Sequence, residues 1–348
     1  MTHEDEITAA QQIVGSDAAN DYVIHPTDHA AQLPADGKAL ADLLRRSELA
    51  VLASEYERKD REANRNRDIF RAAASRANWA VLLTACFSAL LLVAGAQKSL
   101  TTGVLQPVLI TFGIGGVVSG GLASMWLFQV REGRLLSAWM SSRAAAESLR
   151  MQYFETVANP QPAAIASAIP LALLQLEYFR RYQFDVQLAF FDKRAQDFGR
   201  DADRMLRLGA AAVALASISS GIAVLGVLNA TWISVAGLGA IATALSSFAS
   251  AKEGINQSRR NMESYNRTRD ALALLRGRLD DIRAAAADGE REPMKQLVAA
   301  VHEQLSAEHH QWLDVIQGIQ PAIDRLDATL SKLKNAPAKE AETATVKS

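Results

Sequence analysis

Four long, predominantly apolar stretches of this sequence contain no aspartate, glutamate, lysine, arginine or histidine, although 22% of the whole chain is charged. A helix needs about 20 mainly apolar residues to cross the roughly 30 Å hydrocarbon layer of a membrane. A stretch surrounded by lipid must bond its backbone polar groups internally, which favours a helix. We therefore predict an all-α membrane protein with four transmembrane helices. The predicted spans are residues 79–96, 104–130, 208–228 and 232–251.

Short polar turns join the predicted spans in pairs, at residues 97–103 and 229–231. Turns this short force neighbouring helices to run antiparallel, so we predict two antiparallel hairpins that continue into long charged helices. Lysine and arginine are dense outside the hairpins, whereas the turns contain only Lys98. The positive-inside rule then predicts a multi-pass membrane protein with both termini in the cytoplasm. The acidic, polar N-terminus is not typical of a cleaved signal peptide.

The order helix, span, turn, span, helix occurs twice, which indicates an internal duplication. Glu132-Gly133 after the second span corresponds to Glu253-Gly254 after the fourth. We expect the first module to open with one unbroken helix that starts at Lys38 and enters the first span. The predicted division is a loose polar segment at 1–37, a first module at 38–158, a proline-rich linker at 159–170, a second module at 171–335 with a closing helix at 293–334, and a disordered tail at 336–348.

Small residues in the spans indicate close helix packing. The glycine-rich run at 113–121 superficially resembles a dinucleotide loop, but no strand precedes it. Gly116 and Gly120 are four residues apart on one helix face, where glycine lets helices approach closely, and we interpret Gly237 in the same way. Hydroxyl side chains of the third and fourth spans are candidates for lining a pore; alternatively, they satisfy backbone carbonyls within the bundle. The candidates are Ser217, Ser220, Thr243 and Ser247.

Patterns typical of catalysis or cofactor binding are missing from the sequence. Neither a phosphate-binding loop nor a nucleophile motif occurs, and Cys86 is the one cysteine. Pro26 lies between His25 and His29, and the HEQLS run at His302 lacks the second histidine of a zinc motif. We therefore expect no enzymatic activity, no metal and no cofactor. A net charge of −1 gives no reason to expect nucleic-acid binding.

An aromatic residue and an arginine one turn apart follow each predicted hairpin, and a glutamate precedes a tryptophan by one turn in the closing helix. In this combination residues 40–320 resemble the SLATT group, the SMODS- and SLOG-associating two-transmembrane effector domains, here as a tandem. The second copy has no glutamate at the place of Glu147. The motif residues are Trp139, Arg143, Glu147, Tyr265, Arg269, Glu308 and Trp312.

The motif residues of the first copy lie along one helix stripe. We interpret them chiefly as contacts that tie cytoplasmic helices together, with a direct ligand role as the alternative.

The resemblance implies an effector of a bacterial conflict or antiviral defence system. Such an effector is expected to perforate the membrane when a nucleotide-signalling partner detects infection. The small-residue faces of the later spans favour a homo-oligomer within the lipid bilayer. The alternative is a non-enzymatic membrane scaffold or sensor subunit that docks a cytoplasmic partner. Active transport has little support, because the spans carry no ionisable residue.

Overall fold

A computed structural model describes residues 2–16, 21–95, 106–132, 135–159, 169–225, 233–317, 319 and 321–332. Within these residues the regular structure is entirely helical, which confirms the all-α class. The helices are α1 (His3–Val14), α2 (Pro26–Gln32), α3 (Lys38–Leu44), α4 (Ser47–Gly95), α5 (Gln106–Glu132), α6 (Leu135–Ala158), α7 (Leu171–Phe179), α8 (Val186–Leu225), α9 (Ile233–Asn256), α10 (Ser258–Arg276), α11 (Leu279–Ala287), α12 (Glu292–Gln317) and α13 (321–332).

Local sequence signals set several of these boundaries. Thr2 caps α1 through a capping box with Asp5, in which each side chain accepts a hydrogen bond from the other residue's backbone N–H. Pro26 occupies the first turn of α2, where its missing N–H costs nothing. Gln257 separates α9 from α10 in the left-handed region at φ 50°, although its side chain disfavours that conformation. A π-helical turn at Arg180–Asp185 joins α7 to α8.

The structure differs from the sequence prediction in the first 46 residues. The segment that we expected to be loose contains α1 and α2, and the side chains of Ala10, Val14 and Ala30 are buried. Alanine and valine four residues apart give α1 a narrow apolar face, which is enough to bury it against a neighbouring core. The helix that we expected to run unbroken from Lys38 is interrupted at residues 45–46, between α3 and α4.

The chain divides into two compact units, and neither corresponds to a module of the predicted duplication. Unit 1 comprises residues 1–66, 137–197 and 261–313. Unit 2 comprises residues 67–136, 198–260 and 314–348. Each unit therefore contains parts of both predicted modules, and α4 and α8 each contribute residues to both units.

Unit 1 is built around a core of aromatic and leucine side chains. Tyr153 and Phe154 of α6 pack against Tyr178 and Phe179 of α7, with Phe184 of the π-helical turn fully buried beside them. Helices α1, α2 and α3 join the same core through small apolar residues and leucines. The burial of this much aromatic surface is a strong stabilising contribution, since each aromatic side chain buries about 150–250 Å².

Unit 2 contains two pairs of antiparallel apolar helices. The hydroxyls of Thr84 in α4 and Ser119 in α5 are hydrogen-bonded at 3.0 Å, and further along α4 the ring of Phe87 lies against Gly115. As the residue number rises along α4, the number of the contacting residue in α5 falls, so the two helices are antiparallel. In the second pair, Gly209 and Ser219 of α8 lie against Ala249 and Gly239 of α9, which again runs in reverse. The predicted turns at 97–103 and 229–231 lie outside the described residues.

Candidate functional site

The guanidinium of Arg143, a residue of the predicted family motif, is held between carboxylates of two helices in unit 1. On its own helix α6 it forms an ion pair with Glu147, one turn later. Asp60 of α4 lies on its other side, with 3.6 Å between Asp60 Oδ1 and Arg143 Nη1. Burial disfavours the charged guanidinium, but the surrounding carboxylates outweigh it and the pKa of Arg143 is raised.

Glu308 of α12 adds a third carboxyl group to the surroundings of Arg143. Burial, together with the negative charge of Glu147, raises the pKa of Glu308 to about 7, and the positive charge of Arg143 only partly opposes this shift. Residues from α4, α6 and α12 therefore form one electrostatic group, which we call the Arg143 cluster: Asp60, Arg143, Glu147 and Glu308. The structure brings Glu308 close to Arg143 and Glu147, two motif residues of α6 that lie far from it in the sequence.

Arg269, the corresponding arginine of the predicted second copy, forms a similar ion pair between α8 and α10, the helices before and after the second predicted hairpin. Its guanidinium lies 3.4 Å from Asp192 of α8 and 2.8 Å from Asp270 of its own helix α10. One turn earlier, the ring of Tyr265 packs against Phe191 with 5.5 Å between ring centroids. Around each predicted hairpin, then, an arginine that follows it is paired with an aspartate that precedes it.

The structure gives fewer contacts for the two tryptophans of the predicted motif than for its arginines. Trp139 is half-buried on α6. Trp312 lies in α12, and its side chain lies outside the described residues.

Arg150 is a central residue of unit 1 that the sequence analysis missed. Its side chain is 3% exposed, and its guanidinium donates to Gln183 Oε1 at 2.6 Å, to the Tyr182 carbonyl at 2.8 Å and to the Tyr56 hydroxyl at 3.0 Å. The Tyr56 ring also lies under the guanidinium at 5.6 Å, a favourable cation–π contact. Arg150 follows Arg143 by seven residues on the same helix face, but nothing in the sequence distinguishes a buried arginine from the solvated ones around it.

Histidines of unit 1 are engaged in structural contacts. The His29 ring nitrogen lies 2.8 Å from the Tyr178 hydroxyl, and its ring stacks on Tyr182. Burial lowers the pKa of His29 to about 4, so the ring is neutral at physiological pH. His302 Nδ1 lies 3.1 Å from Glu155 Oε1. No group of three or more metal-ligating side chains occurs among the described residues.

Apolar side chains cover the outside of α5 in unit 2. Val117 is 78% exposed and Phe128 is 68% exposed. Among the described residues, two helical stretches, within Ser47–Leu91 and Gln106–Ala158, are long and apolar enough to cross a membrane, and only 17% of the apolar window in the second is buried. A core helix of a water-soluble protein buries this kind of surface, whereas a helix in lipid leaves it at the protein surface.

The predicted packing glycines lie where α4 approaches α5. A Cβ atom at Gly116 would be 3.6 Å from the Cβ of Phe87, and one at Gly120 would be 3.6 Å from Thr84 Cγ2. These are ordinary contact distances, so both glycines lie at the helix interface. Gly237 is helical in α9, and its surroundings lie outside the described residues.

The candidate pore-lining hydroxyls lie on the surface of unit 2. Ser217, Ser220, Thr243 and Ser247 are all exposed. The Ser217 hydroxyl donates to the Val213 carbonyl at 2.9 Å, and the Thr243 hydroxyl donates to the Gly239 carbonyl at 2.9 Å. Two of the four therefore make the internal backbone bonds that the sequence analysis gave as the alternative.

Comparison with known families gives a match in the second half of the chain. Residues 179–312 match the family model described as SMODS and SLOG-associating 2TM effector domain 1. No curated protein and no solved structure matches the chain. The matched segment begins at the end of α7, includes both α8 and α9, and ends at Trp312. The chain therefore carries a domain of the SLATT family at residues 179–312.

Proposed function

We propose that this protein is a membrane effector of a bacterial conflict or defence system, which oligomerises and perforates the inner membrane on a partner's signal. The observation that carries the proposal is the exposed apolar surface of α5, because lipid is the solvent that tolerates it. The matched family is described as a two-transmembrane effector domain, which supports the same location.

We further propose that residues 38–158 form a diverged first copy of the matched domain. The proposal is supported by an arginine–aspartate ion pair that occurs twice, each time between the helix before a predicted hairpin and the helix after it. Arg143 with Asp60 in the first copy corresponds to Arg269 with Asp192 in the second. In this proposal α4, α5, α8 and α9 provide four spans in two hairpins, with both termini in the cytoplasm.

A polar path through the membrane requires more than one copy of the chain in this proposal. The candidate hydroxyls of α8 and α9 are exposed on unit 2, so neighbouring copies must enclose them to form a pore. The Ser219 Cβ is 3.4 Å from the position of a Cβ at Gly239, so small side chains already let α8 and α9 approach closely within one chain. The same helices offer small residues to a neighbouring copy.

Dye and ion leakage from liposomes tests this proposal. The full chain is reconstituted into vesicles that contain a fluorescent dye and potassium ions, and a candidate nucleotide-signalling partner protein is added as the activator. We expect leakage on activation, and a loss of leakage when Ser220 and Ser247 are both replaced by leucine. Val213→Leu is the matched control, since Val213 is an exposed apolar residue of the same helix α8.

An activated oligomer that passes neither ions nor dye contradicts the effector proposal. A stable complex with a cytoplasmic partner, without leakage under activation, would instead favour the non-enzymatic scaffold or sensor subunit. Resistance of the chain to extraction from membranes by alkaline carbonate tests the membrane location separately, and release by carbonate would contradict it.

A further inference from the structure

A cavity of about 430 Å³ opens between α4 and α5 at the level of the basic residues that flank the first hairpin. Its volume lies in the range of about 300–1,000 Å³ that is typical of small-ligand sites. The polar end is formed by Arg76, Trp79 and Trp126, and the other end by Leu83, Ser119 and Leu122. We call this cavity the Arg76 groove.

Among the described residues, the donor side chains at the polar end of the Arg76 groove have no hydrogen-bond acceptor. The Arg76 side chain is exposed and makes no hydrogen bond or ion pair with any described residue. Its guanidinium lies 5.9 Å from the centroid of the Trp126 ring, a cation–π contact that fixes its position and leaves its N–H groups available. The residues that line the groove include no carboxylate, so its one charge is positive.

The side chains that line the groove change from charged to apolar along its length, as a phospholipid does from its headgroup to its acyl chains. From Ala72 to Leu83, α4 advances about 16 Å, which is comparable to one leaflet of a roughly 30 Å hydrocarbon layer. A guanidinium lies near one end, two indole rings follow, and leucine side chains line the other end. Arginine binds phosphate oxygens through two parallel N–H donors, and indole rings favour the interface between headgroups and acyl chains.

We propose that the Arg76 groove binds one anionic phospholipid, whose phosphate contacts Arg76 and whose acyl chain lies between α4 and α5. The proposal rests on the membrane location proposed above. Trp79 is 52% exposed and Leu83 is 47% exposed in the isolated chain, so a bound acyl chain would cover apolar surface that no described residue covers. The charge of the groove selects the anionic headgroup over a zwitterionic one.

Native mass spectrometry of the full chain in mild detergent tests the lipid site. The wild-type protein is offered equal amounts of phosphatidylglycerol and phosphatidylcholine. We expect retention of one phosphatidylglycerol molecule, with a preference that Arg76→Gln reduces about fivefold, as expected for one arginine at an anionic membrane surface. Arg207→Gln is the matched control, because Arg207 is an exposed arginine beside the third predicted span and does not line the groove.

Fluorescence quenching gives an independent measurement on the same variants. Phosphatidylglycerol with brominated acyl chains should quench the wild-type tryptophans, and Trp126→Phe should remove part of that quenching. Equal retention of the two lipids, or an Arg76→Gln protein that keeps the wild-type preference, would overturn the lipid site. A change of oligomeric state in Trp126→Phe without lipid retention would also overturn it, since a second copy would then occupy the groove. Each of these outcomes leaves membrane insertion and leakage intact, so failure of the lipid site is distinct from failure of the effector proposal.

Discussion

Replacing Glu308 by glutamine removes a carboxyl group whose ionisation opposes folding. Burial and the charge of Glu147 raise the Glu308 pKa from 4.5 to about 7 in the folded chain. Between these two values the folded state binds more protons than the unfolded state, so this group makes the protein less stable as the pH rises. Above pH 7 the loss of stability caused by Glu308 reaches its full size. The pKa shift corresponds to a decrease of at most about 3 kcal/mol in the free energy of unfolding, and partial access of water to the side chain reduces this decrease to about 1–2 kcal/mol.

We therefore expect Glu308→Gln to stabilise the protein at pH 8 by about 1–3 kcal/mol and to have an effect below about 1 kcal/mol at pH 5. The measurement is thermal unfolding of the detergent-solubilised protein at a series of pH values, compared with the wild type at each one. Comparison at equal pH cancels the titration of other groups, including His29 and His302.

Glu303→Gln is the matched control, because Glu303 lies on the same helix α12 and is exposed. It should change the unfolding temperature little at either pH. If Glu308→Gln has the same effect at pH 5 and pH 8, Glu308 is not held in the neutral form by its surroundings, and the electrostatic account of the Arg143 cluster is wrong.

Three further substitutions and one control substitution test unit 1 and unit 2 through thermal unfolding. His29 has its pKa lowered to about 4 by burial, so wild-type stability should fall as the pH drops from 6.5 to 4, and His29→Gln should flatten that decline. Arg150→Met should cost about 3 kcal/mol, because it leaves the buried Gln183 amide oxygen without this donor and removes one donor from the Tyr182 carbonyl; an unchanged unfolding temperature would refute its central role. Gly115→Ala places a Cβ 3.0 Å from the Phe87 ring and should destabilise by about 1 kcal/mol, whereas Gly113→Ala meets no atom within 4 Å and should not.

Several features of the fold were predictable from sequence because they depend on local composition. Uncharged stretches of about 20 residues predict apolar helices wherever they lie, and α5 and α9 occupy the second and fourth predicted spans. The proline at Pro170 predicts a helix start, and α7 begins at Leu171. The closing helix was predicted at 293–334, and the described residues in this region are helical at Glu292–Gln317 and at 321–332.

The contacts of the candidate site were not predictable from sequence, because they join residues that are distant in the chain. The motif predicted Arg143 and Glu147 as neighbours on one helix, but not that Asp60 would lie beside them. The N-terminal segment was expected to be loose, since its polar composition conceals the few side chains that it buries. The helices of this segment pack against the core of unit 1, and most residues of that core come from other parts of the chain.

The sequence by itself determined which stretches of this protein are helical and which helices carry apolar surface, since backbone hydrogen bonding and side-chain polarity are local properties. The tertiary structure decided which charges became neighbours and which side chains lost their water. Only that packing turns Glu308 into a carboxyl group that titrates near neutral pH, and only it leaves Arg76 beside a tryptophan with no acidic partner among the described residues. The physical reason is that a pKa and a binding site depend on burial and on distances between atoms, which are fixed when helices from distant parts of the chain come together.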